Sequence, residues 1–144
     1  MAQENRRINI FPFTSSFFKD AIYFERYIRE TLPKNFTVEH TQLRKPDIMV
    51  FAYQGDHSFW GFAEVEGWTD PAPEEVAEGR EWGGTIFRRV YKIKPCSIKE
   101  FAKHVPYFVL DFNPRSIVYA PKISVEIFNQ LLRKAEGQIN CCIH

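Results

Sequence analysis

Residues 45–67, KPDIMVFAYQGDHSFWGFAEVEG, constrain the fold more tightly than any other stretch of the chain. Gly55-Asp56 is a two-residue hairpin signal of the Gly-Asp type, set between runs of residues that suit a pleated, half-buried surface. With the turn there, Gln54 faces His57, Trp60 faces Phe51 in the core, and the pairing runs back until Asp47 faces Glu64. Glu66 shares that face, opposite Lys45. Directly opposed Cβ atoms sit about 4.5–5.5 Å apart, a distance at which two carboxylates repel. The pair therefore needs a cation, a shared proton or a different register, and it makes a candidate site for a divalent metal.

The remaining segments supply neighbours for this hairpin. RINIFPF (7–13) alternates apolar and polar residues as a strand does. TSS then offers N-cap hydroxyls, and FFKDAIYFERYIRETL continues as a helix over about 16–32, stopped by Pro33. Phe17, Ala21, Phe24, Ile28 and Leu32 recur three and four apart and form one buried stripe. FTVEHTQ (36–42) is a short strand. Residues 69–84, TDPAPEEVAEGREWGG, form a long polar loop, and loops of that length inside compact domains are usually functional or disordered. TIFRRVYKIKP (85–95) is extended, with Phe87, Tyr91 and Ile93 on one face and Arg88, Lys92 and Lys94 on the other. Ser97-x-x-Glu100 forms a capping box for a short helix, IKEFAKH. The strands YFVLDF and SIVYA follow, separated by the turn signal Asn113-Pro114. Ser124 caps a last helix, VEIFNQLLRKAE, ended by Gly137. The expectation is one α+β domain over 1–144, with a core of about 8–134 and a tail of about 137–144.

A chain of 144 residues is long enough to bury a core without staples, and its 16% aromatic content fits a sheet protein. The net charge of +1 excludes a generally basic nucleic-acid coat, so binding of that kind must use a local patch. Arg88, Arg89, Lys92, Lys94, Lys99 and Lys103 supply one, with Glu100 the only acid between 86 and 103. The acidic stretch at Glu74, Glu75, Glu78 and Glu81 is expected to face away from it. Three cysteines, Cys96, Cys141 and Cys142, do not make a disulfide framework, and the Cys141-Cys142-Ile143-His144 ending lacks the second ligand pair of a metal site. No run approaches the ~18 apolar residues of a membrane span, and no signal peptide opens the chain. The expected location is cytoplasmic.

Two family resemblances bear on function. Glu25 on the first helix, Pro46-Asp47, Glu64 and Glu66 resemble the acidic set of PD-(D/E)xK nucleases. That resemblance implies a Mg-dependent nuclease using Glu25, Asp47, Glu64 and Glu66. Glu66 stands where the family carries a lysine that helps organise the attacking water.

The second resemblance spans roughly residues 8–134. PDIMVFAYQGDHSFWGFAEVEGW is similar to the central hairpin of the YTH and EVE domains of the PUA-like superfamily, with Phe59, Gly61, Phe62, Ala63, Glu64 and Val65 in the family's order. INIFPFTSSFFKDAI resembles the family's opening strand, Ser-rich turn and first helix. WGGTIFRRVYKIKP resembles its tryptophan-bearing loop and the strand after it, and NPRSIVYAPKISVEIFNQLL its closing strand and helix. This resemblance implies a curved or barrel-like mixed β-sheet with flanking helices, acting as a non-catalytic binding domain without metal or cofactor. A modified base, flipped out of its strand, would enter an aromatic pocket. Carried over by position, Trp82 and then Trp68 wall the pocket, and Asp70 accepts a hydrogen bond from an exocyclic amine. Phe13, Thr14 and Ser15 read the base through main-chain and hydroxyl groups, and Arg88, Arg89, Lys92 and Lys94 hold the backbone. Asp47 and Glu64 become scaffold. Relatives include RNA N6-methyladenosine readers and the N-terminal domains of McrB-type modification-dependent restriction enzymes. The implied partners are nucleic acid, with modified DNA favoured over RNA, and further domains or a motor protein of a restriction system, with no membrane. A protein-interaction module using surface aromatics is a third possibility, and it predicts no nucleic-acid binding at any salt concentration.

Overall fold

The computed structural model describes residues 6–13, 20–26, 28, 36–38, 46–69, 89–94, 96–117 and 121–140. The strands are β1 (Ile8–Phe13), β2 (Phe36–Val38), β3 (Ile48–Tyr53), β4 (Ser58–Thr69), β5 (Arg89–Ile93), β6 (Lys99–Pro106), β7 (Lys122–Ile123) and β8 (Gln138–Asn140). The helices are α1 (Ala21–Arg26), α2 (Pro114–Ile117), α3 (Val125–Lys134) and a 3-10 turn at Tyr107–Leu110. Together they make an α+β fold on a mixed sheet of order β2-β5-β4-β3-β1-β7, with β6 joined to β4 and β8 to β6.

β4 organises this sheet. The N–H of Val65 bonds toward β3, at the carbonyl of Asp47 (2.9 Å), whereas the carbonyl of Glu64 takes the N–H of Lys94 (2.9 Å) on the opposite edge. β6 and β5 therefore follow one another along one edge of β4, and β3 fills the other. β1 lies parallel to β3, from Ile8 opposite Ile48 to Phe13 opposite Tyr53. Parallel neighbours need a long crossover, and the chain between them, which carries α1, provides it.

Alternation along the strands sorts side chains into two buried faces. Ile8, Ile10, Val50 and Phe59 belong to a core that includes Phe128 and Leu131 of α3. Phe11, Phe13, Phe51 and Tyr53 point to the other face and are also buried. Ser124 caps α3 as expected, its Oγ accepting from the N–H of Ile127 at 3.1 Å. The stripe expected on the first helix is represented by buried Ile28 and half-buried Ala21. Phe17 and Leu32 lie outside the described residues, as does the side chain of Phe24.

Trp60 interrupts the hairpin. Ala52 pairs with Phe59 but Phe51 pairs with Gly61, which leaves Trp60 as an extra residue in β4. Across the other edge β6 makes a larger detour, since Phe59 pairs with Val105 and Gly61 with Glu100. The expected register therefore fails beyond the bulge. Trp60 does not face Phe51, and Glu64 faces Ile48 rather than Asp47. A one-residue shift of this kind moves every later pair and removes the direct opposition of the two carboxylates. The turn is also longer than two residues, spanning 54–57 with His57 at a φ of 53°.

Three further expectations are corrected. IKEFAKH is not a helix but most of β6, and neither residue of its apparent capping box caps a helix. The Ser97 hydroxyl accepts from the N–H of Glu64 (3.1 Å) and donates to its carbonyl (3.3 Å), and the Glu100 carboxylate faces His104. YFVLDF is not a strand: it folds into the 3-10 turn, closed by Asp111 in the left-handed region with its N–H on the carbonyl of Phe108. SIVYA begins inside α2, whose first turn is held by Asn113 accepting from the N–H of Arg115 at 2.9 Å, and 118–120 lie outside the described residues. Cys96 is disulfide-bonded. The chain's other cysteines, Cys141 and Cys142, are outside the described residues.

Candidate functional site

Three segments meet where β1 ends. Gln54 joins them, its N–H bonding to the carbonyl of Phe13 at 2.8 Å. Its side chain accepts from the Tyr107 hydroxyl at 3.0 Å and donates to the carbonyl of Pro114 at 3.2 Å. Gly55 lies flat on the Tyr53 ring, where a Cβ would come within 2.4 Å of a ring carbon. The bulged Trp60 then packs edge-on against Tyr53, with centroids 5.6 Å apart, and donates its indole N–H to Asp56 at 3.2 Å.

The detour in β6 fills the other side of Trp60. His104 stacks on the indole with centroids 3.9 Å apart, and its Nε2 meets Oε2 of Glu100 at 3.0 Å. The Glu100 side chain is 7% exposed and the His104 side chain 29%, so a buried carboxylate orients a half-exposed imidazole. Carboxylate–imidazole pairing of this kind fixes ring orientation and tautomer.

Burial keeps the two tyrosines of this cluster protonated. Desolvation raises the Tyr107 phenol pKa well above its ordinary value, with the nearby Asp56 charge adding to the effect. Tyr53 is shifted upward by burial, then by Asp56 and Asp20, which places the start of α1 within electrostatic reach of the hairpin. Above about pH 10 an unfolded chain loses the phenol proton while the native state keeps it, so stability falls as pH rises through this range. The urea midpoint is expected to drop between pH 9 and pH 11, and to drop less in Tyr107→Phe. That variant should lose about 1 kcal/mol at neutral pH through its bond to Gln54. Equal losses in both proteins would show that Tyr107 does not carry the effect.

The residues singled out from sequence divide by position. Phe13 is buried edge-on against Phe51, with centroids 6.0 Å apart, and reaches the meeting point through its carbonyl. Trp68 stands opposite Tyr91 in the β4–β5 ladder, Lys92 opposite Gly67, and Arg89 opposite Val38 of β2. Only the backbones of Trp68, Arg89 and Lys92 are described, whereas Lys94 is exposed just beyond β5. Thr14, Ser15, Asp70, Trp82 and Arg88 lie outside the described residues.

Two members of the acidic set have partners of their own. Asp47 accepts from the N–H of Arg7 at 2.7 Å, and Glu64 pairs with the Arg6 guanidinium at 2.8 Å. Glu66 is exposed, and Glu25 is on α1. Among the described residues, no group of three or more His, Cys, Asp or Glu side chains is placed to hold a metal ion. Sequence reasoning missed the Trp60–His104–Glu100 cluster and the Gln54 bridge. The one available signal was the spacing of four between Glu100 and His104, and it reads as a helix.

The fold defines a class, an α+β architecture built on a mixed β-sheet. Within that class the chain is similar to ASCH from Zymomonas mobilis. A serine-to-alanine mutant of that protein superposes with a TM-score of 0.56 at 13% identity, covering 91% of this chain and 98% of its own. A second structure of ASCH gives a TM-score of 0.53 at 12% identity, covering 90% and 96%. At such identity the likeness carries the fold alone. No family model and no curated protein sequence matches the chain.

Proposed function

We propose that this chain is a nucleic-acid-binding domain that reads a methylated base, with DNA favoured over RNA. The observation that carries this reading is the likeness of the fold to an ASCH structure over 91% of the chain. The narrower YTH-like or EVE-like character rests on the residue order around Phe59, Gly61 and Glu64. A strongly curved, barrel-like sheet belongs to the same reading, and the two irregularities in β4, at Trp60 and Glu66, support it because bulges bend and twist strands. The proposed role is binding without catalysis. The partners of Asp47 and Glu64 favour a scaffold role for both.

In this reading Trp82 and Trp68 stack on the flipped base, Asp70 takes its exocyclic amine, and Thr14, Ser15 and the Phe13 main chain fix its edge. Arg88, Arg89, Lys92 and Lys94 hold phosphates. Stacking contributes about 1–3 kcal/mol per base. A buried methyl adds only about 0.8 kcal/mol, roughly fourfold in affinity, so sharper preference must come from oriented hydrogen bonds and a close wall.

The test uses single strands, which removes any contribution from duplex opening. Trp82→Ala or Trp68→Ala should cost about 1–3 kcal/mol of preference for the methylated strand while leaving salt-sensitive binding. Replacing Arg88 and Lys92 should instead weaken methylated and plain strands alike, and flatten the salt slope by about one per lost phosphate contact. Full discrimination in both tryptophan variants would move the pocket elsewhere.

A further inference from the structure

We propose that the turn Tyr107–Leu110 is a self-association surface, where two copies of this chain pack Phe108 and Val109 together about a two-fold axis and pair Asp111 of each copy with Arg115 of the other. Phe108 is 77% exposed and Val109 37%, so an aromatic ring and the aliphatic side chain next to it stand in water together. Single exposed apolar side chains such as Ile22 and Ile139 are ordinary on a protein surface. Phe108 differs from them in two ways: its neighbour is exposed and apolar, and charges of both signs follow it closely in the chain.

The backbone holds this ring outward. Tyr107 is turned in, its N–H bonding to the carbonyl of His57 at 2.8 Å and its ring packing against Phe59. Asp111 closes the turn at a φ of 58°, with its N–H on the carbonyl of Phe108 at 3.1 Å, and the N–H of Phe112 returns to the carbonyl of Tyr107 at 3.0 Å. The Gln54 side chain ties down the start of α2 through the carbonyl of Pro114. A backbone fixed in this way lowers the ordering cost of docking.

Charge identifies the partner. Asp111 and Arg115 are both exposed, and among the described residues neither has an ion-pair partner. One acid and one base beside an apolar centre are self-complementary, because a two-fold axis brings the acid of each copy to the base of the other. A nucleic-acid strand would be drawn to Arg115 but repelled by Asp111. The patch is small. One aromatic side chain offers about 150–250 Å², against roughly 1,600 Å² buried in a stable interface, so the association is weak and reversible, with Kd on the order of 0.1–1 mM. This inference does not depend on the nucleic-acid reading.

Sedimentation velocity of the full chain from ~10 µM to ~1 mM tests the proposal. The weight-average mass should rise from that of one chain toward that of two. Phe108→Ser removes an exposed ring without touching the core, and should stay monomeric throughout with an unchanged Tm. Arg115→Glu and Asp111→Lys should each weaken association about tenfold or more. An equimolar mixture of these two variants should recover it, since the introduced charges then meet each other and one native pair is kept. Asp111→Asn suits the left-handed backbone and should also weaken association, which separates lost charge from a disturbed turn. A wild type that is monomeric throughout, association unchanged by Phe108→Ser, or a mixture that stays monomeric would each overturn the proposal. A monomeric wild type whose binding to single-stranded DNA falls in Phe108→Ser would assign the patch to nucleic acid instead.

Discussion

Gly61→Ala is expected to destabilise the protein by about 3 kcal/mol or more, at the upper end of what overpacking costs. A Cβ at this position would lie 2.1 Å from the Lys99 carbonyl oxygen and 3.0 Å from the Glu100 Cα, both backbone atoms of β6. No side-chain rotation relieves such a contact, so β4 and β6 must separate. The pairs lost are Gly61 with Glu100 and Phe62 with Lys99, which restart the ladder after the detour. Gly67→Ala is the control: among the described residues nothing lies within 4 Å of its added carbon, and a change within about 0.5 kcal/mol is expected. Urea midpoints report both, and amide exchange should accelerate along β6 in the first variant only. A wild-type midpoint for Gly61→Ala would show that the sheet is not pinned there.

Phe59→Ala should cost about 3–5 kcal/mol, a large fraction of the 5–15 kcal/mol that holds a typical domain together. Phe59 is fully buried, with the Tyr107 ring centroid 4.8 Å away and that of Phe112 at 5.3 Å. Removing its ring leaves a cavity next to the residue that bonds Gln54, so loosening should spread to the hairpin turn. Phe59→Leu keeps most of the volume and should cost less than half as much. Thermal denaturation of the two variants separates the cases, and a loss under 1 kcal/mol for the alanine variant would contradict the packing described.

What could be read from the sequence was local and periodic. β1, β3 and much of β4 declare themselves through alternation and aromatic density, and α3 through its Ser124 cap. The register did not, because the bulge at Trp60 leaves no mark on the residues beside it. β6 was hidden by a capping box that is not one: Ser97 and Glu100 spend their hydrogen bonds on Glu64 and His104. In YFVLDF an apolar run masks a tight turn whose geometry depends on Asp111 accepting a positive φ. The site was legible only in part for the same reason. Gln54 meets Tyr107 across 53 positions of sequence, and no local pattern encodes such a contact.

The central claim is nucleic-acid binding with preference for a methylated base, and a salt-controlled titration tests it most directly. Methylated and plain strands are titrated at several salt concentrations, with parallel incubation in magnesium or manganese. The prediction is affinity that falls with salt, tighter binding of the methylated strand at each concentration, and intact strands throughout. Two results would contradict it. One is no binding at any salt. The other is metal-dependent cleavage that Asp47→Ala and Glu64→Ala abolish while the fold survives.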